Sequence, residues 1–146
     1  MKLLTIGFTE KSAERFFGLL KANSAQILID SRLRPDGQLS GFAKKTDLPF
    51  FLRELAGCDY VHLPALAPED DFLKTYRQDK NWEHYVSRFE RLMDERGIPN
   101  SLDRSLFEDN VCCLLCSEAK PARCHRRLVA ERMAKIWGNI EIVHLT

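Results

Sequence analysis

Apolar positions along the chain fall into short runs separated by stretches with helical spacing. Lys2–Ile6 predicts a strand stopped at Gly7, and Ser12 is placed to cap a helix over about 13–22 that buries Phe16, Leu19 and Leu20. Gln26–Asp30 is an apolar run closed by a charge, as in a central parallel strand. Asp47 is placed to cap a helix with Pro49 in its first turn and Phe51, Leu52 and Leu55 as its apolar stripe. Asp59–Leu63 predicts a short strand and 69–78 a short helix. Trp82, Tyr85, Val86, Phe89, Leu92 and Met93 then recur on one helical face until Gly97-Ile98-Pro99 ends the pattern. Val111–Cys116 is apolar throughout and too short for a free-standing helix, so it predicts a strand buried on both faces. Pro121 is placed to open a last helix reaching Trp137, and Ile140–Leu145 suits an edge strand.

Strands alternating with helices imply an α/β fold: a single three-layer, Rossmann-like domain over 1–146, with a five-stranded, mainly parallel sheet and helices on both faces. The expected strand order is 3-2-1-4-5. Composition narrows the class without naming a reaction. The 146 residues carry 22 basic and 21 acidic side chains, a net +1, which disfavours coating nucleic acid by bulk charge. No apolar run approaches a membrane span, and the apolar start is too short for a signal peptide, so a cytoplasmic location is expected. Five cysteines, two of them adjacent, do not form a disulfide framework and suggest reduced thiols.

In an open parallel sheet, ligands bind beyond the carboxyl ends of the strands. Those ends deliver Thr9 after the first strand, Asp30-Ser31-Arg32 after the second, and Cys116-Ser117-Glu118 after the fourth. A helix starting at Pro121 would aim the amides of 122–125 at an anion, with Arg123 and Arg126 adding charge. The competing reading puts these arginines on a solvated face, paired with Glu131 or the acidic stretch 69–71.

Cys116 and Cys124 lie where a thiolate is favoured and accessible, at a strand end and in a helix's first turn, although Cys124 could equally be packed beneath the helix, whereas Cys58, Cys112 and Cys113 read as core. Cys116 to Arg123 has the wrong spacing for a phosphatase loop, and a rhodanese-like sulfur-transfer reading has some support from Ile29-Asp30-Ser31-Arg32 but is weakened by the spacing after Cys116. Zinc on Cys113, Cys116, Cys124 and His125 is disfavoured because a strand sends Cys113 and Cys116 to opposite faces. Neither a metal nor a cofactor is expected. His125, beside two arginines, should be neutral, able to move a proton or simply to donate to a nearby backbone carbonyl; Asp30 and Glu118 could orient it or act as a carboxylate pair, the competing reading of Asp30 being a helix cap or a partner of Arg32. His62 reads as a hydrogen-bonded structural group, His84 and His144 as surface residues.

Thr5-Ile6-Gly7-Phe8-Thr9, Asp30-Ser31-Arg32, Tyr60-Val61-His62-Leu63-Pro64 and the block Leu115-Cys116-Ser117-Glu118, Pro121, Cys124-His125-Arg126-Arg127 resemble the domain of unknown function 488 family. The Cys-x-Glu…Pro…Cys-His-Arg block is the specific part. Phe8-Thr9 stands where that family usually has His-Ser, and Ala65-Leu66-Ala67 lacks its usual acid and glycine. The resemblance implies a compact α/β cytosolic protein and no established reaction.

Together these readings favour a small enzyme acting on an anionic or nucleotide-like small molecule. Cys116, Glu118, His125 and Asp30 are the candidate catalytic groups, and Thr9, Arg32, Arg123, Cys124 and Arg126 the candidate substrate contacts. The alternative is a non-catalytic module that holds a nucleotide or nucleic-acid phosphate on the basic helix. No membrane partner is expected, and the oligomeric state is open.

Overall fold

The computed structural model describes residues 1–146, the side chains of 38–40 excepted. Five strands, β1 (Lys2–Gly7), β2 (Ile27–Asp30), β3 (Asp59–His62), β4 (Cys112–Cys116) and β5 (Glu141–Leu145), form one all-parallel sheet. Helices α1 (Ala13–Ala22), α2 (Leu48–Ala56), α3 (Asp70–Asp79), α4 (Trp82–Arg96), α5 (Arg104–Glu108) and α6 (His125–Trp137) connect them, with short 3-10 turns at Gln38–Ala43 and Pro64–Leu66. The result is a single Rossmann-like α/β domain. No helix among the described residues is long and apolar enough to cross a membrane.

The two-residue period of the strands divides the core. Leu4, Ile6, Leu28, Cys113 and Leu115 face α1 and α2, packing on Phe16, Phe17, Leu20, Leu48 and Leu52. Leu3, Ile27, Ile29, Cys112 and Leu114 face the other way, onto residues such as Phe72 of α3, Phe89 and Met93 of α4 and Val129 and Met133 of α6. Cys116 continues the Cys112 face, the α6 side of the sheet.

The expected order 3-2-1-4-5 is corrected to β3-β2-β4-β1-β5. The central strand is β4, buried at all five positions, whereas β1 carries Lys2 and Thr5. An uninterrupted apolar run is what a strand covered on both faces and both edges requires. The order matters for the site because Asp30 pairs in register with Leu115, so the chain leaving β2 runs beside the chain leaving β4.

Several boundaries differ in instructive ways. Ser12 does cap α1, accepting from the Arg15 amide, and Asn81 caps α4 in the same manner. Asp47 sits at the start of α2 but its side chain caps nothing, and Leu55 is exposed rather than part of the buried stripe. The last helix begins at His125, with Cys124 as its cap residue, because Pro121 and Cys124 close a turn of their own through the Cys124 amide and the Pro121 carbonyl. The amides of 122–124 therefore lie before the helix, and of the four only that of His125 belongs to its first turn. Helix α5 was not foreseen.

Candidate functional site

The loop from β4 to α6 is held by three contacts that depend on particular side chains. Gly7 ends β1, and a Cβ there would overlap the backbone carbonyl of Glu118, so only glycine lets the loop cross at this depth. The Thr9 amide donates to the Ser117 carbonyl at 3.2 Å. Beneath the loop lies Arg126, fully buried. Its Nη1 donates to the Glu118 carbonyl at 2.6 Å and to Cys116 Sγ at 2.9 Å, its Nη2 to the Ala119 carbonyl at 3.4 Å and its Nε to Thr5 Oγ1 at 3.4 Å. Burial pulls its pKa down to about 10, which still leaves a cation at neutral pH. Among the described residues no carboxylate is bonded to it. The sulfur of Cys116, when reduced, is its one bonded partner among the described residues able to carry negative charge.

Cys116 and Cys124, eight residues apart, bring their sulfurs into bonding contact. The expectation of five reduced thiols, with those of Cys116 and Cys124 accessible, is corrected here. Cys116 and Cys124 are buried against each other at the edge of a cleft, while Cys58, Cys112 and Cys113 stay free and buried as expected. Burial pushes the thiols of Cys58 and Cys112 up to about 12 and raises that of Cys113 well above its ordinary value.

His125 follows Cys124 and opens α6. Its Nε2 is 2.9 Å from the Ser31 carbonyl and 3.0 Å from Ser31 Oγ, whose own proton goes to the Leu115 carbonyl. A carbonyl oxygen only accepts, so Nε2 carries the ring proton and Nδ1 is left with the lone pair. Burial, with the Arg126 charge adding to it, pulls the His125 pKa down to about 4, so the ring is neutral at pH 7. Cys116, Cys124 and His125 place one ligand atom each within 4.8 Å of one another. Two sulfurs and an imidazole are donors that suit zinc. The guanidinium hydrogen-bonded to Cys116 Sγ opposes a second cation at that atom, so the trio is a poor metal site as built.

At the end of β2, Asp30 is fully buried and accepts from Arg32 Nε and Nη2, both at 2.8 Å, and from the Tyr60 hydroxyl at 2.6 Å. Burial and that bond to Asp30 raise the Tyr60 pKa. Arg32 lies over the Phe8 ring, its Nη2 also donates to the Ala43 carbonyl, and its buried Nη1 has no partner among the described residues. His62 is structural as expected, bonded through Nε2 to the Arg32 carbonyl. His144 is not a free surface group; its Nδ1 meets Thr5 Oγ1 at 2.6 Å. His84 is exposed.

Between these strand ends and helices α3 and α4 opens a cleft of about 620 Å³. Arg32, Arg34, Arg77, Lys80 and Arg123 border it against the acids Asp70 and Glu118. One wall is aromatic: Trp82 stacks on Tyr85 at 4.9 Å, and Tyr76 packs on both. Arg34 and Asp70 pair at 2.6 Å across an exposed rim. Of the candidates, the cleft gathers Cys116, Glu118, His125, Arg32, Arg123 and Cys124. It does not gather three others. Thr9 is exposed and works through its backbone amide, Asp30 is enclosed by Arg32 and Tyr60, and Arg126 is consumed under the loop. Arg127, as the solvated reading had it, pairs with Glu131.

Sequence reasoning missed Ser31 and the aromatic wall. Trp82 and Tyr85 sit on the apolar stripe of α4, so their spacing signals core; Trp82 is nonetheless only half-buried and bounds the cleft. The cluster of Tyr76, Trp82 and Tyr85 on both sides of a helix break was the available signal.

No curated protein and no solved structure matches the chain significantly. The family model described as domain of unknown function DUF488 matches residues 12–133. That span runs from the cap of α1 to the middle of α6 and includes the β4 to α6 loop. The chain therefore belongs to the domain of unknown function 488 family.

Proposed function

We propose that this protein is a small enzyme acting on an anionic, ring-bearing substrate of nucleotide type, held in the cleft beyond β2 and β4. The observation that carries the reading is the meeting, in one concave space, of five cationic side chains, an aromatic wall and the Cys116–His125 corner. A volume of about 620 Å³ falls within the usual range for small-molecule sites, roughly 300–1,000 Å³. Arg123, Arg77 and Lys80 would meet the anionic group, and Trp82 would face the ring. Cys116 in its reduced form would supply the nucleophile, favoured as thiolate by Arg126. His125, neutral and held by Ser31 with Nδ1 unprotonated, would accept a proton. Glu118 would orient substrate from the rim, and Asp30 acts only by positioning Arg32.

The test is a thermal-shift comparison on reduced protein with nucleoside monophosphates, the matching nucleosides and inorganic phosphate, followed by a turnover assay on whichever nucleotide binds. At a hundredfold excess over Kd a ligand stabilises by about 2.7 kcal/mol, a shift of several degrees. The nucleotide should shift Tm more than either fragment, and Trp82→Ala with Arg123→Ala should remove the difference. Equal responses to nucleotide and phosphate would overturn the ring site. Binding without turnover, unchanged in Cys116→Ser, would overturn the enzyme and leave a binding module.

A further inference from the structure

The contact between Cys116 and Cys124 has no evident structural task. The loop it closes is already pinned by Arg126, by the Thr9 amide and by the fit of Gly7 against Glu118. The chain also has two extensive apolar cores. A cross-link spanning so few residues restrains the unfolded chain less than one closing a long loop, and in the folded loop it only adds to anchors already present. The chemistry of the two sulfurs is the distinctive feature. Cys116 receives a hydrogen bond from a fully buried guanidinium that bonds no carboxylate, and this favours its thiolate over its thiol. Cys124 sits at the N-terminal cap of α6, its sulfur against that of Cys116. Both border the cleft, whereas Cys58, Cys112 and Cys113 lie in the core with thiols that resist ionisation.

We propose that Cys116 and Cys124 form a reversible thiol–disulfide couple that reacts with hydroperoxides, Cys116 being oxidised first and Cys124 resolving it. The Cys116 thiolate attacks the terminal oxygen of the peroxide; an S–O bond forms and the O–O bond breaks. The leaving alkoxide or hydroxide takes a proton from water, the peroxide is reduced by two electrons, and the sulfur becomes a sulfenic acid. The Cys124 thiol then attacks that sulfur, the S–S bond forms, the S–O bond breaks, and hydroxide leaves with the Cys124 proton as water. A dithiol reductant returns two electrons and two protons. Oxidation removes the anionic partner of Arg126 and ties up the sulfur at the cleft edge. That this silences the cleft rests on the proposed function; the couple itself does not.

The experiment treats fully reduced protein with equimolar hydrogen peroxide and follows intact mass and peptide maps. The expected result is a loss of about 2 Da, reversed by dithiothreitol, with a Cys116–Cys124 linked peptide. Cys124→Ser should instead accumulate a sulfenic acid on Cys116, trapped by a cyclic diketone. Circular dichroism checks that the variant folds, and if it does not, the wild-type map decides alone. No linked peptide, or oxidation spread equally over Cys58, Cys112 and Cys113, would overturn the couple. A linked peptide in protein that gives no nucleotide shift in either redox state would sustain the couple and overturn the nucleotide cleft. Nucleotide binding without a linked peptide would do the reverse.

Discussion

Two buried arginines serve neighbouring strand ends of the sheet: Arg32 just beyond β2, and Arg126 beneath the loop that leaves β4. Arg32 is held by both oxygens of Asp30 at 2.8 Å, so its charge is cancelled where it sits. Arg126 is at least as deeply buried, 0% exposed against 5%, yet its partners are two backbone carbonyls, a threonine hydroxyl and a sulfur. Removing a guanidinium from water costs several kcal/mol, and a carboxylate is the usual compensation. The β2 end therefore has a neutral, self-contained pair that shapes the cleft. The β4 end keeps uncompensated positive charge directed at Cys116. The same residue type makes a scaffold in one place and a reactive environment in the other, and the counter-ion decides which.

The largest effect should come from undoing the compensation at β2. Asp30→Ala strips Arg32 and Tyr60 of their shared acceptor in a fully buried site, and urea denaturation should show a loss of about 3–5 kcal/mol. Adding Arg32→Met should recover part of that loss, since the double variant buries no unpaired charge. A loss under about 1 kcal/mol would mean that water reaches Arg32 and that the two strand ends are alike.

A second, smaller effect tests the β4 end by pH. The pKa of His125 falls from 6.5 to about 4 on folding, first through burial and then through Arg126. Between those values the unfolded chain binds a proton that the folded chain refuses, so this stability is complete above pH 6.5 and is lost as pH falls toward 4. The contribution is at most about 3 kcal/mol. The pKa of His144 is also lowered by burial and by Arg126, so it acts in the same direction. The slope that disappears in His125→Asn, measured by urea denaturation at several pH values, is the part owed to His125. An unchanged slope would show that His125 is solvated.

What the sequence revealed, and what it hid, follows the same division. Element types were legible because Phe16, Leu20, Phe89 and Met93 repeat at helical spacing, while 112–116 is apolar throughout. The family block at 115–127 was legible as residue types at strand ends. The roles of its arginines were not. Arg123 stays at the cleft, in the turn before α6, while Arg126 turns under the loop and Arg127 pairs outward with Glu131, because helical geometry sends adjacent residues in different directions once the start of α6 is fixed. That start depends on the turn between Pro121 and Cys124, a four-residue hydrogen bond that no periodicity records. Strand order was hidden for a similar reason: the neighbours of β4 are set by crossovers, although its complete burial was the available hint of a central place. The aromatic wall was hidden because the α4 stripe serves both core and cleft.

The smallest of the expected effects isolates the charge of Arg126 from its anchoring. Arg126→Met keeps much of the volume under the loop but removes the cation and the donors to Cys116, Glu118 and Ala119. Arg126→Lys keeps a cation while giving up the fork that reaches several acceptors at once. If the guanidinium sustains a Cys116 thiolate, closure of the Cys116–Cys124 bond by peroxide at pH 7 should slow about tenfold or more in Arg126→Met, the effect of one nearby opposite charge. Arg126→Lys should recover most of that rate while losing as much thermal stability as Arg126→Met, because the loop anchors are missing in both. Rates following charge and melting temperatures following anchors would separate the two tasks of one side chain. Equal slowing in both variants would mean that Arg126 serves Cys116 only by holding the loop, and the contrast with Arg32 would then lie in packing and not in charge.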